Sequence, residues 1–389
     1  MFMKIRLFGA AAALAMAALT VLAPLAGAVP ETEGISALAA VVIEADSGRV
    51  IMGKNYRTKL PMASTTKIMT ALITLESGGL DEEFTADSTA VHTEGSTMGL
   101  CEGDIVSKRD LCIGMLLPSG NDAANCAAVR IAGDIPSFAR LMNGRAAELG
   151  LKNTHFVTPS GLHDDDHYST AEDMAHLAAY AIKNPDFLQI CSKSSMKLSF
   201  GDPPYDRYLY NTNKLLDNYE GCIGVKTGFT DEAGRCLVSA APRNGVTLVC
   251  VTLNAPDDWN DHRKMLDYGF SVTERRTVED NIEYYVSLAG GNTDSLRLVP
   301  ARTPEYTEIG GEKSLISWRI VSPPMVYAPV ACGKEIGTLI VYDGDKEIDR
   351  IPMTAAESAP ISDALPPRKS IIDTIKDHFK KFWLYFLRK

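Results

Sequence analysis

Three short patterns occur in one fixed order along this chain: Ser64-Thr65-Thr66-Lys67, then Ser119-Gly120-Asn121, then Lys226-Thr227-Gly228. Each carries chemistry that the other two complete, and together they read as a serine acyl-transfer site. A serine hydroxyl becomes a useful nucleophile when a neighbouring base takes its proton. A lysine three residues on in a helix shares the serine's face, and the dipole of a helix start favours the negative charge that develops on the serine oxygen. One pattern alone means little. A Ser-x-x-Lys spacing should arise by chance about once in a chain this long, and Ser194-Ser195-Met196-Lys197 is a second match.

Local context separates the two matches. Ser64 follows a Pro61-Met62-Ala63 turn and opens a run with apolar residues at Ile68, Ala71, Leu72 and Leu75. That is the spacing of a buried helix face, and it stops at Gly78-Gly79. Ser194 lies instead in a stretch whose polar and apolar residues alternate toward Phe200, the period of a strand. The nucleophile is therefore expected at Ser64.

The elements that must position these groups are also visible. Val41 to Met52 reads as two short strands around Asp46-Ser47-Gly48, and Arg235 to Leu253 as two more around Arg243-Asn244-Gly245, a strong hairpin signal. Between them lie the Ser64 helix, a second from about Lys108 to Leu116 halted by Pro118, and a third from Asp122 to Ala132. Others are expected near Phe138–Leu149 and Ala171–Ile182. Strands from both ends of a region with helices inserted between them predict an α/β (α+β) fold, one antiparallel sheet flanked by helices. From about Arg275 the pattern becomes short alternating runs, such as Ser295–Val299 and Gly337–Tyr342, which predict a second, small all-β domain.

Composition frames the rest. A chain of 389 residues can bury a large core and hold more than one domain, while a net charge of −10 argues against nucleic acid as a partner. Residues 1–28 carry Lys4 and Arg6, an apolar stretch from about Leu7 to Leu22, and Ala26-Gly27-Ala28, and so read as a secretory signal peptide. At the other end, apolar Ile371, Ile372, Ile375, Phe379, Phe382, Trp383 and Phe386 are interleaved with seven basic residues. This predicts an amphipathic helix on an anionic membrane surface, too charged to span a bilayer. Export and a place at the outer face of the cytoplasmic membrane, in the cell wall space, follow as expectations. The eight cysteines lack the spacing of a small stapled domain and include no C-x-x-C pair, so no disulfide is assigned.

The trio of motifs and this layout resemble the low-molecular-mass penicillin-binding proteins of the serine D-alanyl-D-alanine carboxypeptidase family. Further stretches similar to the family are Thr154-His155-Phe156 with Pro159-Ser160-Gly161-Leu162, Ser169-Thr170-Ala171 with Asp173, and Asn211-Thr212-Asn213-Lys214-Leu215. The resemblance implies a penicillin-binding catalytic domain over 29–272, a β-rich domain over 273–357, and a linker with an anchor helix over 358–389. It also implies roles. Ser64 would attack the penultimate D-Ala carbonyl of a peptidoglycan stem peptide, with Lys67 as general base and Ser119 as proton shuttle to the leaving amine. Asn121 would bind the substrate amide and Lys67. Lys226 and Thr227 would hold the substrate's C-terminal carboxylate, Gly228 would allow close approach of its strand, and the amides of Ser64 and Phe229 would form the oxyanion hole. β-Lactams would acylate the same serine. No cofactor or metal is implied, and the resemblance names no partner for the β domain.

Other readings are weighed against this one. His163-Asp164-Asp165-Asp166-His167, with Glu172, Asp173 and His176, contains the residue types of a zinc peptidase, but no H-E-x-x-H is present and the two histidines four apart fall in an acidic loop leading into the Ala171 helix rather than on a helix. A β-lactamase would need an E-x-x-L-N element between Ser119 and Lys226, and none is present. A cross-linking transpeptidase is typically a larger chain with a membrane-spanning start. A non-enzymatic penicillin-binding scaffold would not need Ser64, Lys67 and Lys226 together.

Overall fold

A computed structural model describes residues 32–278, 282–310 and 314–362. The expected secretory signal and amphipathic helix lie outside the described residues.

A five-stranded sheet organises the first domain, in the order Val50–Lys54, Ala39–Glu44, Val246–Leu253, Gly234–Arg243, Val225–Thr230, and every neighbouring pair is antiparallel. The two hairpins form where their turn residues place them. At the second, Asn244 and Gly245 take φ of 51° and 80°, the left-handed values that a tight two-residue hairpin loop requires. All residues of Ala39–Glu44 are buried because the sheet is covered on both sides. One face (Val41, Ile43, Val238, Val249, Val251) packs on the helices Lys67–Glu76 and Ala171–Ala181, and the helices Lys108–Leu116 and Asn121–Ala132 pack in turn on Lys67–Glu76. The other face (Ala40, Val42, Leu237, Leu248, Cys250) packs on Met265 and Leu266 of the helix Asp258–Ser271. Fully burying one such aliphatic side chain contributes roughly 1.5–3 kcal/mol, and this double cover makes the sheet the rigid base of the site.

Helix boundaries follow local chemistry. Ser107 and Asp110 form a capping box at the start of Lys108–Leu116, with the Asp110 amide donating to Ser107 Oγ at 3.1 Å and the Ser107 amide to Asp110 Oδ2 at 2.9 Å. Pro118 follows the helix end, and the chain turns sharply at Ser119, whose φ is 68°.

The second domain holds a six-stranded sheet in the order Ile316–Val321, Glu335–Asp343, Lys346–Ala355, Ser295–Pro300, Tyr284–Ala289, Met325–Tyr327. The last pair is parallel. A separate ladder, Thr273–Thr277 with Glu305–Ile309, joins the two domains. There Thr307 Oγ1 donates to buried Glu44 at 3.3 Å, and ion pairs Arg49–Asp343 (3.0 Å) and Arg275–Asp46 (3.4 Å) cross the junction. The eight cysteines are all free thiols.

Candidate active site

The three motifs, with Ser119 52 positions after Lys67 and Lys226 162 positions after Ser64 in the chain, meet at one cleft of about 650 Å³. Ser64, Ser119, Asn121, Thr227, Gly228 and Phe229 line it. Lys67 and Lys226 stand behind its wall, 0% and 1% exposed.

Ser64 lies in a 3-10 turn, Ala63–Thr66, that runs straight into the helix from Lys67. The helix start expected at Ser64 is thus a tighter turn, entered through Ala63 at φ 47°. Gly161 presses on this strained residue: a Cβ there would come within 2.0 Å of the Ala63 carbonyl oxygen.

Lys67 Nζ has three oxygens around it: Ser64 Oγ at 2.8 Å, Asn121 Oδ1 at 2.7 Å and the Ser160 carbonyl at 2.7 Å. Burial pushes its pKa well below that of a free lysine, the Lys226 charge adds to this, and Asp122 opposes it. A neutral amine has two N–H donors and one lone pair. Asn121 Oδ1 and the Ser160 carbonyl can only accept, so they take the two donors, and the lone pair is left facing the Ser64 hydroxyl. The arrangement is that of a base poised on a nucleophile.

Asn121 is oriented by its remaining contacts. Its Nδ2 donates to the Glu94 carbonyl at 2.8 Å and its amide to the Ser96 carbonyl at 2.7 Å. The adjacent Asp122, 1% exposed, gathers the amides of Met98, Gly99 and Leu100 on its carboxylate. This pins the loop carrying Gly95 and Ser96 over the cleft.

Lys226 and Thr227 begin to extend along the edge strand Val225–Thr230. Lys226 Nζ donates to the Thr227 carbonyl at 3.0 Å, and burial lowers its pKa to about 7. The Thr227 and Thr212 hydroxyls are 2.6 Å apart. The Phe229 side chain is 62% exposed, so what that residue offers the cleft floor is its backbone.

The second Ser-x-x-Lys match is elsewhere: Ser194 Oγ donates to Asp217 at 3.2 Å and Lys197 pairs with Asp206 at 2.6 Å on a separate hairpin. The histidine and aspartate cluster also disperses. His167 is 3% exposed and its Nδ1 accepts from the amides of Val157 and Thr158, Asp173 accepts from Asn153 and Thr154, and Glu172 pairs with Arg57. Among the described residues no three such side chains converge to hold a metal ion.

Residues that sequence reasoning left without a role include Asp122, Ser160, Thr212 and His167. Ser160 and Thr212 lie in stretches with a visible resemblance, but Ser160 acts through a backbone carbonyl, which side-chain identity does not encode.

Residues 26–257 match the peptidase family described as D-alanyl-D-alanine carboxypeptidase, and residues 273–360 match the family described as penicillin-binding protein 5, C-terminal domain. The chain is 32% identical over 335 residues to D-alanyl-D-alanine carboxypeptidase DacF of Bacillus subtilis, covering 82% of this chain and 85% of the relative. It is 31% identical over 347 residues to DacC of Escherichia coli, covering 84% and 85%. Among solved structures, penicillin-binding protein 5 of Haemophilus influenzae is similar with a TM-score of 0.62 at 29% identity, over 86% of this chain and 100% of the other.

Proposed function

The chain belongs to the D-alanyl-D-alanine carboxypeptidase family, and from that premise we propose how its residues divide the work of removing the terminal D-alanine from a peptidoglycan stem pentapeptide. It is a serine hydrolase that penicillins acylate. The observation that carries the assignment is the Lys67 amine, held by Asn121 Oδ1 and the Ser160 carbonyl with its third contact on Ser64 Oγ at 2.8 Å.

Ser64 Oγ attacks the carbonyl carbon of the penultimate D-Ala while its proton passes to Lys67. The amides of Ser64 and Phe229 receive the oxyanion, and because they are fixed by main chain they need no reorganisation as charge develops. The C–N bond breaks, and the leaving D-alanine amine takes a proton relayed through Ser119. Water then attacks the Ser64 ester by the reverse proton route and frees the enzyme. Lys226 and Thr227 hold the terminal carboxylate. Bringing that carboxylate beside Lys226 raises the lysine pKa and keeps it charged in the complex.

Export to the cell wall space and membrane contact through the C-terminal stretch belong to the same proposal. They are supported by the composition of residues 1–28 and by the Phe- and Trp-rich basic segment up to Lys389.

Mass spectrometry after reaction with a labelled penicillin tests the assignment. The label is expected on the peptide containing Ser64. Label on Ser194, or no label on folded protein, overturns it.

A further inference from the structure

The turn Asp46-Ser47-Gly48, between the strands Ala39–Glu44 and Val50–Lys54, is where the sheet of the catalytic domain meets the β domain. Gly48 stands at φ 64°, and a Cβ there would lie 2.2 Å from Lys346 Nζ, 2.8 Å from His176 Cε1 and 3.0 Å from His176 Nδ1. Only glycine gives both the backbone conformation and the space. The result is a contact between domains. Lys346, the first residue of the β-domain strand Lys346–Ala355, lays its ammonium group over Gly48 beside the ring of His176, which comes from the helix Ala171–Ala181 of the catalytic domain.

Neither group is paired. Among the described residues Lys346 Nζ and the His176 ring make no hydrogen bond or ion pair. The charges that face the ring are Lys346 across the junction and Glu172 and Asp173 on its own helix. Both carboxylates are committed elsewhere, Glu172 to Arg57 and Asp173 to the Asn153 amide and Thr154 Oγ1. Lys346 in turn faces Glu44 of the sheet and Lys183 beyond the end of the helix. Glu44 is 1% exposed, and its oxygens already accept from the Ser47 amide and hydroxyl and from Thr307 Oγ1. The seated turn thus accommodates one ammonium group next to a neutral imidazole. A second positive charge, on the ring, would meet Lys346 with no free counter-ion beside it. Burial and the Lys346 charge accordingly hold the His176 pKa below the ordinary 6.5, against smaller upward pulls from Glu172 and Asp173.

We propose that this junction is a pH-sensitive latch: with His176 neutral the Lys346 turn stays seated on Gly48, and protonation of His176 drives it off and loosens the β domain against the catalytic domain. The loosening is local, because the ladder of Thr273–Thr277 with Glu305–Ile309 still joins the two domains. Seated, the ring has the lower pKa, so the released turn binds more protons. The latch is therefore closed above about 6.5 and loses its hold as pH falls below that value, by up to tenfold in docking constant for each unit between the seated and released pKa values. The sensing helix Ala171–Ala181 also packs on Lys67–Glu76, the helix of the catalytic lysine.

The test uses the full chain, with histidines labelled for NMR and, in parallel, amide hydrogen exchange read by mass spectrometry and corrected for the intrinsic effect of pH. The His176 resonance, identified by its loss in His176→Gln, is expected to titrate below 6.5. Its midpoint should rise in Lys346→Met, which keeps the aliphatic stem and removes the charge. Protection of peptides 44–50 and 343–349 should fall between pH 7.5 and pH 5, by up to tenfold per unit of that midpoint shift, and should stay level in His176→Gln. Penicillin acylation, in which neither residue takes part, reports that each variant is folded. A His176 midpoint at or above 6.5 overturns the proposal, as does a midpoint that Lys346→Met leaves unmoved. So does protection of the two turns that is equal at both pH values, or that falls as steeply in His176→Gln.

Discussion

A Cβ placed on Gly228 would stand 3.0 Å from the Ser64 amide nitrogen, 3.1 Å from the Met62 carbonyl oxygen and 3.1 Å from the Thr65 amide nitrogen. The edge strand and the nucleophile's turn thus meet backbone to backbone, and the glycine is required by that approach. Gly228→Ala should force the two apart by a few tenths of an ångström. Misplacement at a reacting centre costs on the order of tenfold to a hundredfold in rate. Acylation by a chromogenic penicillin should slow by that factor, while the melting temperature stays near that of the unaltered protein. An unchanged acylation rate would show that the strand does not set the geometry at Ser64.

Lys67 and Lys226 carry the same nominal charge but sit in sites that ask different things of them. Arginine keeps its charge and cannot give up a proton. Lys67→Arg should abolish acylation, whereas Lys226→Arg should retain part of it and mainly weaken substrates with a free terminal carboxylate. The pH profile follows from the lowered pKa values. Acylation needs neutral Lys67, so activity rises as pH passes its depressed pKa. Carboxylate recognition needs charged Lys226, so kcat/KM falls as pH rises through about 7 in the free enzyme. A peptide amidated at its C-terminus should lack that falling limb. Normal acylation by Lys67→Arg would remove Lys67 as the base.

Removal of residues 366–389 should leave penicillin acylation intact and abolish membrane association. Near the end of the described chain Ile361 bridges Gly291, and the Ser362 amide donates to the Gly290 carbonyl at 2.8 Å, contacts within the β domain and remote from the cleft. At about 25 cal/mol per Å² of apolar area, Phe379, Phe382, Trp383 and Phe386 could supply several kcal/mol of membrane binding, with the basic residues adding salt-sensitive attraction. Sedimentation with anionic vesicles measures this. A truncated chain that pellets like the full one would place the membrane contact elsewhere.

How far the fold was legible depended on whether burial and polarity agreed. The helix at Lys108–Leu116 and the hairpin at Asn244-Gly245 were readable because capping residues, Pro118 and a turn dipeptide mark their ends. The helix Asp258–Ser271 escaped sequence reading because its buried face is partly polar. Asp261 accepts from the Ser36 and Ala37 amides, and His262 contacts Ser239 at 2.5 Å and Thr252 at 3.0 Å. Those residues break the apolar period that marks a helix. In the site, the three motifs were legible as side chains in order. The Ser160 carbonyl on Lys67 and the Asp122 grip on the 98–100 amides exist only once distant segments meet.

His167 shows how a residue that looked like a metal ligand serves the nucleophile's turn. Its Nδ1 accepts from the amides of Val157 and Thr158 at 2.9 and 3.2 Å, so its proton must be on Nε2, which donates to Thr66 Oγ1 at 2.8 Å. Thr66 Oγ1 in turn donates to the Ala63 carbonyl at 2.8 Å, beside the strained residue that precedes Ser64. A second proton on Nδ1 would confront two N–H groups. Burial accordingly pushes the pKa down to about 4, against a smaller upward pull from Asp164. Unfolded, the histidine binds a proton below about 6.5, and folded only below about 4. Between those values the unfolded state holds more protons, so stability falls as pH drops through the window, by about 3 kcal/mol for this group. Urea unfolding at pH 7 and pH 4.5 should show the loss, and His167→Gln, less stable at pH 7, should lose less across the same interval. A variant whose stability falls as steeply as that of the unaltered protein would mean that His167 takes up its proton within the fold, and the hydrogen-bond relay to Ala63 would have to be abandoned.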